Sequence, residues 1–240
     1  MADQEHPEDD ARIADPGQDE SRTTPPLLVD APGDETLEVP AILPVLPVRD
    51  VIVYPGVTMP LAIGRPRSLA ALKEAGVEGY MLVVTQRDPL SENPGLEELY
   101  EVGTIVRVMR IIDARREGKQ ALVVGLARAT IARPVAWEPT LRAEIEPLPE
   151  PEVDPIGLEA AWRRVVMLSQ RVVDLREDLP EEWKAFIQGI PSAGVLADLI
   201  ASNLALSQED KIRPLEEPDP AARLAQVESH LEKEVTIAGT

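Results

Sequence analysis

Between Leu43 and Leu61 the chain reads as apolar and β-branched residues broken by Pro44, Pro47, Pro55 and Pro60. Proline inside a helix removes a backbone donor and clashes with the carbonyl four residues back, so no helix can run through this stretch. In sheets proline is confined to edges, bulges and strand starts. The run is therefore predicted to form two short strands joined by a turn at Tyr54-Pro55-Gly56.

The residues that follow keep the same character up to about position 147. Tyr80 to Gln86 is an apolar strand, and Val102 to Ile112 and Gln120 to Ile131 are two more, separated by a polar loop in which Gly118 supplies a positive φ. That spacing predicts a long β-hairpin. One helix interrupts the strands from Pro66 to Ala75, with proline in its first turn, Leu69 and Leu72 as an apolar stripe and Gly76 as its stop. Beyond a Pro- and Glu-rich stretch at 148–154, predicted to be a stiff linker, the period changes to three and four: Leu158, Trp162, Val165, Leu168, Val172 and Leu175 line one helix. Pro180, Ser192, Ser207 and Asp219-Pro220 each open a further helix. The fold class read from the pattern is α+β, a β lobe over 40–147 followed by a small helical bundle over 155–240.

Charge is distributed unevenly. The formal net charge is −19, and the first forty residues hold twelve Asp and Glu against Arg12 and Arg22. Low hydrophobicity with high charge cannot offset ordering entropy, so residues 1–39 are expected to be a disordered acidic tail. With no cysteine, disulfides, thiolate nucleophiles and sulfur-ligated zinc are excluded. Neither a long apolar run nor a signal-like start occurs, which makes a cytoplasmic protein with no membrane partner the expectation.

Four motifs agree in order and spacing with one family. Leu43-Pro44-Val45-Leu46-Pro47-Val48-Arg49-Asp50-Val51-Ile52-Val53-Tyr54-Pro55-Gly56 is followed by Gly64-Arg65 with Ser68-Leu69, by Leu99-Tyr100-Glu101-Val102-Gly103-Thr104, and by Ala121 to Ala129. Together they resemble the N-terminal substrate-binding domain of Lon proteases, over about residues 40 to 235. The resemblance implies a PUA-like β pseudo-barrel lobe with a helical subdomain beside it. It also implies a non-catalytic module that recognises unfolded or damaged polypeptide, as an adaptor or regulator of proteolysis beside a protease or ATPase partner. The alternatives are a PUA-like nucleic-acid-binding protein and a fragment of a full-length ATP-dependent Lon protease. Strong acidity and a content of three Trp, three Tyr and one Phe argue against nucleic acid.

The polypeptide-binding candidates are Tyr54, Pro55, Met59 and Leu61, with Arg65 and Arg67 at the start of the first helix. A proline-broken edge can accept an added strand, and methionine adapts to varied partners. The competing reading makes Met59 and Leu61 inward-facing core. No catalytic, cofactor or metal residues are predicted. Gly118-Lys119 lacks the glycines of a phosphate-binding loop, and His6 and His230 are far apart in sequence. Pro191-Ser192-Ala193-Gly194 reproduces the tetrapeptide around the Lon catalytic serine, but it follows Ile187-Gln188-Gly189-Ile190 and has no base in its context. Ser192 is assigned instead as a helix cap. The purified chain is expected to show neither peptidase nor ATP-hydrolysing activity, and Ser192→Ala to cost about 0.5–2 kcal/mol in denaturant unfolding while changing no activity.

Overall fold

Leu27 to Val39, predicted to be tail, instead form a hairpin: β1 (Leu27–Ala31) pairs antiparallel with β2 (Glu35–Val39) around Gly33 and Asp34, both at positive φ. The computed structural model describes residues 24–239, so the first 23 residues of the expected acidic tail lie outside the described residues. The reason for the difference is alternation. Val29, Ala31 and Val39 turn to the core while Asp30, Glu35 and Glu38 face solvent, and a summed charge does not distinguish a tail from a strand with one acidic face.

Six further strands make the main sheet: β3 (Ile42–Val48), β4 (Thr58–Ile63), β5 (Tyr80–Thr85), β6 (Val102–Asp113), β7 (Lys119–Ala136) and β8 (Arg142–Pro147). Their order is β4-β7-β6-β5-β3-β8. The far half of β7 also pairs with β8, which curls the sheet into a partly closed barrel and leaves β4 as an edge. The helix α1 (Pro66–Ala75) covers one face near β3 and β5, which run parallel.

The proline-broken run forms the expected turn, with the Val57 N–H donating to the Tyr54 carbonyl at 3.2 Å and Gly56 at positive φ, but the strands it joins are not neighbours. β3 and β4 stand on opposite sides of the sheet, and residues 49–57 cross between them with Ile52, Val53 and Tyr54 buried. Gly125 permits this crossing, because a Cβ there would sit 2.1 Å from the Tyr54 carbonyl oxygen. The register of β6 against β7 shifts at the same place.

The second lobe holds α2 (Pro155–Leu175), α3 (Glu182–Gln188), α4 (Ala193–Asn203), α5 (Gln208–Glu216) and α6 (Pro220–Ala238). Side-chain caps start four of them. Asp154 accepts from Ile156 and Gly157, Ser192 from Val195, Ser207 from Asp210, and Asp219 from Ala221 and Ala222. Val165, Leu196, Leu224 and Val227 centre the helical core, which takes in Ile52, Tyr54 and Val102 from the β lobe.

A buried ionic knot joins the lobes. Arg128 of β7 grips Asp198 of α4 with two hydrogen bonds of 2.6 and 2.9 Å, and donates to the carbonyls of Leu215 and Pro214 at 2.9 and 3.0 Å. Arg223 of α6 approaches the same carboxylate at 2.9 and 3.1 Å and also pairs with Glu150. Residues 148–154, expected to be a stiff linker, are tied down: the Leu148 N–H donates to the Arg128 carbonyl at 2.9 Å, and Glu150 belongs to the knot. Proline and glutamate content alone could not reveal that a buried arginine awaited one of those glutamates.

A chain beginning at residue 40 is expected to be less stable than one beginning at residue 24 by about 2–4 kcal/mol, the scale of removing a few half-size apolar side chains from a core. Urea unfolding of the two chains checks this, with equal midpoints contradicting it.

Candidate functional site

The predicted binding residues divide into three groups in space. Tyr54 and Pro55 are buried, and Leu61 is core. The Tyr54 hydroxyl donates to the Lys211 carbonyl at 2.5 Å across the lobe interface. Burial, helped by the nearby Asp198 carboxylate and opposed by Arg128, pushes this phenol far above the usual tyrosine range. Tyr54 is therefore corrected from a ligand contact to an interface pin, and Leu61 from a pocket residue to a core residue. The reason is that the Tyr54-Pro55-Gly56 turn lies within a crossing segment packed under the helices, so it does not display Tyr54.

Arg65 and Arg67 form the second group. The Arg65 guanidinium donates to the carbonyls of Pro47 at 2.6 Å, Glu92 at 3.2 Å and Ser91 at 3.4 Å, so it staples the loop before Leu96 to β3. Partial burial and the neighbouring Arg49 lower its pKa, with Glu92 opposing. Arg67 pairs with Glu138. These contacts give both arginines structural work.

Met59 alone lies on the predicted edge, half-buried against the core. Next to it is a surface that the sequence reading missed. In the cross-strand register Thr58, Val124 and Arg107 form one row, Pro60, Leu122 and Arg110 the next, and Ala62, Gln120 and Ile112 a third. Directly opposed residues share a face, so the three rows tile the outside of the sheet. A bulge in β6 adds Met109. Met109, Ile112 and Leu122 are 38, 42 and 37% exposed, and Pro60 is exposed beside them. The signal existed: Ala121 to Val124 is an unbroken apolar run, where a strand with one solvated face would alternate. Large apolar side chains gathered on one solvated face mark an interaction surface more often than scattered ones do.

The backbone of β4 is open on the side away from β7, because no other described strand pairs with it. The Gly125 N–H donates to the Val57 carbonyl at 2.9 Å, which sets the alternation. Met59 and Leu61 then bond toward β7, while Thr58, Pro60 and Ala62 direct their backbone groups outward. Pro60 occupies an outward position, where its missing N–H costs the sheet no bond.

Among the described residues no group of three or more His, Asp and Glu is placed to hold a metal ion, and no helix is long and apolar enough to cross a membrane.

The model of the ATP-dependent protease La (LON) substrate-binding domain matches residues 42–233. The Lon protease of Desulfovibrio desulfuricans is 38% identical over 227 residues, covering 89% of this chain and 26% of that protein. That of Trichlorobacter lovleyi is 36% identical over 217 residues, covering 90% and 26%. The chain thus spans about a quarter of the length of the curated relatives it matches. Among solved structures, the N-terminal domain of the Mycobacterium avium complex Lon protease superposes with a TM-score of 0.65 at 24% identity, covering 81% of this chain and 98% of that one. That likeness carries the fold alone.

Because the Tyr54 phenol is held protonated in the folded state well above its unfolded value near 10, its contribution is present below about pH 10 and is lost as pH rises beyond it. Tyr54→Phe should remove that alkaline loss and cost stability at neutral pH. Unfolding midpoints of both proteins between pH 8 and 11 should therefore converge as pH rises, and parallel curves would refute the assignment.

Proposed function

The chain belongs to the family of Lon substrate-binding domains, and from that premise we propose that it is a non-catalytic module that captures unfolded or damaged polypeptide for a protease or ATPase partner. The observation that carries this reading is the open β4 edge lying beside the exposed apolar rows of Pro60, Leu122, Met109 and Ile112. An unfolded chain offers the two things such a surface can hold, unpaired main-chain groups and apolar side chains that native proteins bury. A flexible ligand loses conformational freedom on docking, so the affinity is modest.

The rigid two-lobe body suits the role of an adaptor. Binding and delivery need a surface fixed relative to the rest of the molecule, and Arg128, Asp198 and Tyr54 supply that fixity without occupying the outer sheet face. Fluorescence titration of the chain with a labelled, permanently unfolded polypeptide is expected to show saturable binding. Replacing Met109, Ile112 and Leu122 together by serine should weaken it about tenfold, equivalent to about 1.4 kcal/mol, with an unchanged melting temperature. Undiminished binding by the triple variant would discard the site, and binding of RNA without polypeptide would discard the function.

A further inference from the structure

Arginines without carboxylate partners collect at one place in this acidic protein. Between Arg107 and Lys119 the chain holds five Arg and Lys against Asp113 and Glu117, while the whole carries 24 basic against 43 acidic residues. Within this ribbon Arg107 lies 4.0 Å from Glu78, and Lys119 is paired with Asp113. No carboxylate among the described residues lies within 4.0 Å of Arg110, Arg115 or Arg116, and all three are exposed. With acids in nearly twofold excess, three such arginines on one ribbon point to charge kept available for something else.

Their position decides what. Arg107 and Arg110 lie in the same cross-strand rows as Val124 with Thr58 and Leu122 with Pro60, and thus border the apolar face on the side opposite the open β4 edge. Arg115 and Arg116 are at the tip of the same hairpin, just past Ile112 and Gln120. A strand added to β4 meets main-chain groups at that edge, its outward side chains continue the rows onto the apolar side chains of β7, and the long guanidinium side chains of β6 and the hairpin tip border the same face. The distant acidic surface has little say, because at physiological ionic strength charges beyond about 8 Å are largely screened.

We propose that the polypeptide class selected here is an extended segment in which carboxylate side chains accompany apolar ones, added as a strand to β4. This inference rests on the proposed polypeptide-capture function and specifies its substrate. Guanidinium to carboxylate pairing adds geometric preference at the rim, and the sign of the rim charge discriminates against basic segments.

The test uses three labelled peptides with one shared apolar core, flanked by glutamate, glutamine or lysine, titrated into the full chain at low and high salt. Affinity is expected to fall in the order glutamate, glutamine, lysine, with at least a tenfold span at low salt that closes at high salt. Arg110→Glu combined with Arg115→Glu and Arg116→Glu should invert the order; all three are exposed, so the fold tolerates the change. N-methylation of alternate peptide amides should abolish binding in one of the two registers. Equal affinity for all three peptides would overturn the charge selection while leaving polypeptide capture standing. Failure of every peptide, with an unfolded protein also failing to bind, would remove the underlying function. Binding of a single-stranded RNA that disappears in the arginine variant, with no peptide bound, would reassign the ribbon to nucleic acid and overturn the proposal.

Discussion

The carboxylate of Asp198 is the point through which this molecule holds together. It accepts hydrogen bonds from Arg128 on a strand and Arg223 on a helix, and all three side chains are buried. Removing one partner from such a set leaves an uncompensated charge in a low-dielectric interior, a loss of about 3–5 kcal/mol. In this docking of the helical lobe the two guanidinium groups engage the Asp198 carboxylate, the Leu215 and Pro214 carbonyls and Glu150 together. The Tyr54 hydroxyl on the Lys211 carbonyl lies in the same interface, where the helical core takes up β-lobe side chains.

With the lobes fixed, the two faces of the sheet take different fates. One is covered by α1 and closes over Leu46, Met81, Val106 and Val123. The other is covered in part by the N-terminal hairpin, whose Val29 and Val39 pack with Leu82, Ile105 and Leu126. That cover stops short of the rows centred on Leu122. The exposed apolar surface is thus the uncovered continuation of a core, continuous with it through the half-buried Val124.

Much of this architecture can be read from residue order. Helix starts were legible because Ser192, Ser207 and Asp219 cap by a local rule, and the β6–β7 hairpin because its apolar runs flank a polar loop with Gly118. Tyr54 was misread because strand propensity and turn residues say nothing about what packs over a turn from 157 residues away in sequence. The hairpin at Leu27 was hidden by its acidic solvent face. Of the candidate surface, the proline-broken edge was legible and the apolar run of β7 was visible, but its neighbours were not, since Leu122 and Met109 come beside Pro60 only through a register that includes a bulge.

Pro60 has one more effect, on how copies of this chain treat one another. Two open sheet edges ordinarily invite self-pairing, the first step toward aggregation. If two β4 strands met antiparallel with Pro60 opposite Pro60, the missing amide hydrogens would fall together at the symmetry axis. Both bonds of the central pair would be lost. A foreign segment with ordinary amides at that position loses only one. In that register the edge therefore loses more by pairing with its own kind than with a segment that keeps its amides, which disfavours one route of edge-to-edge association.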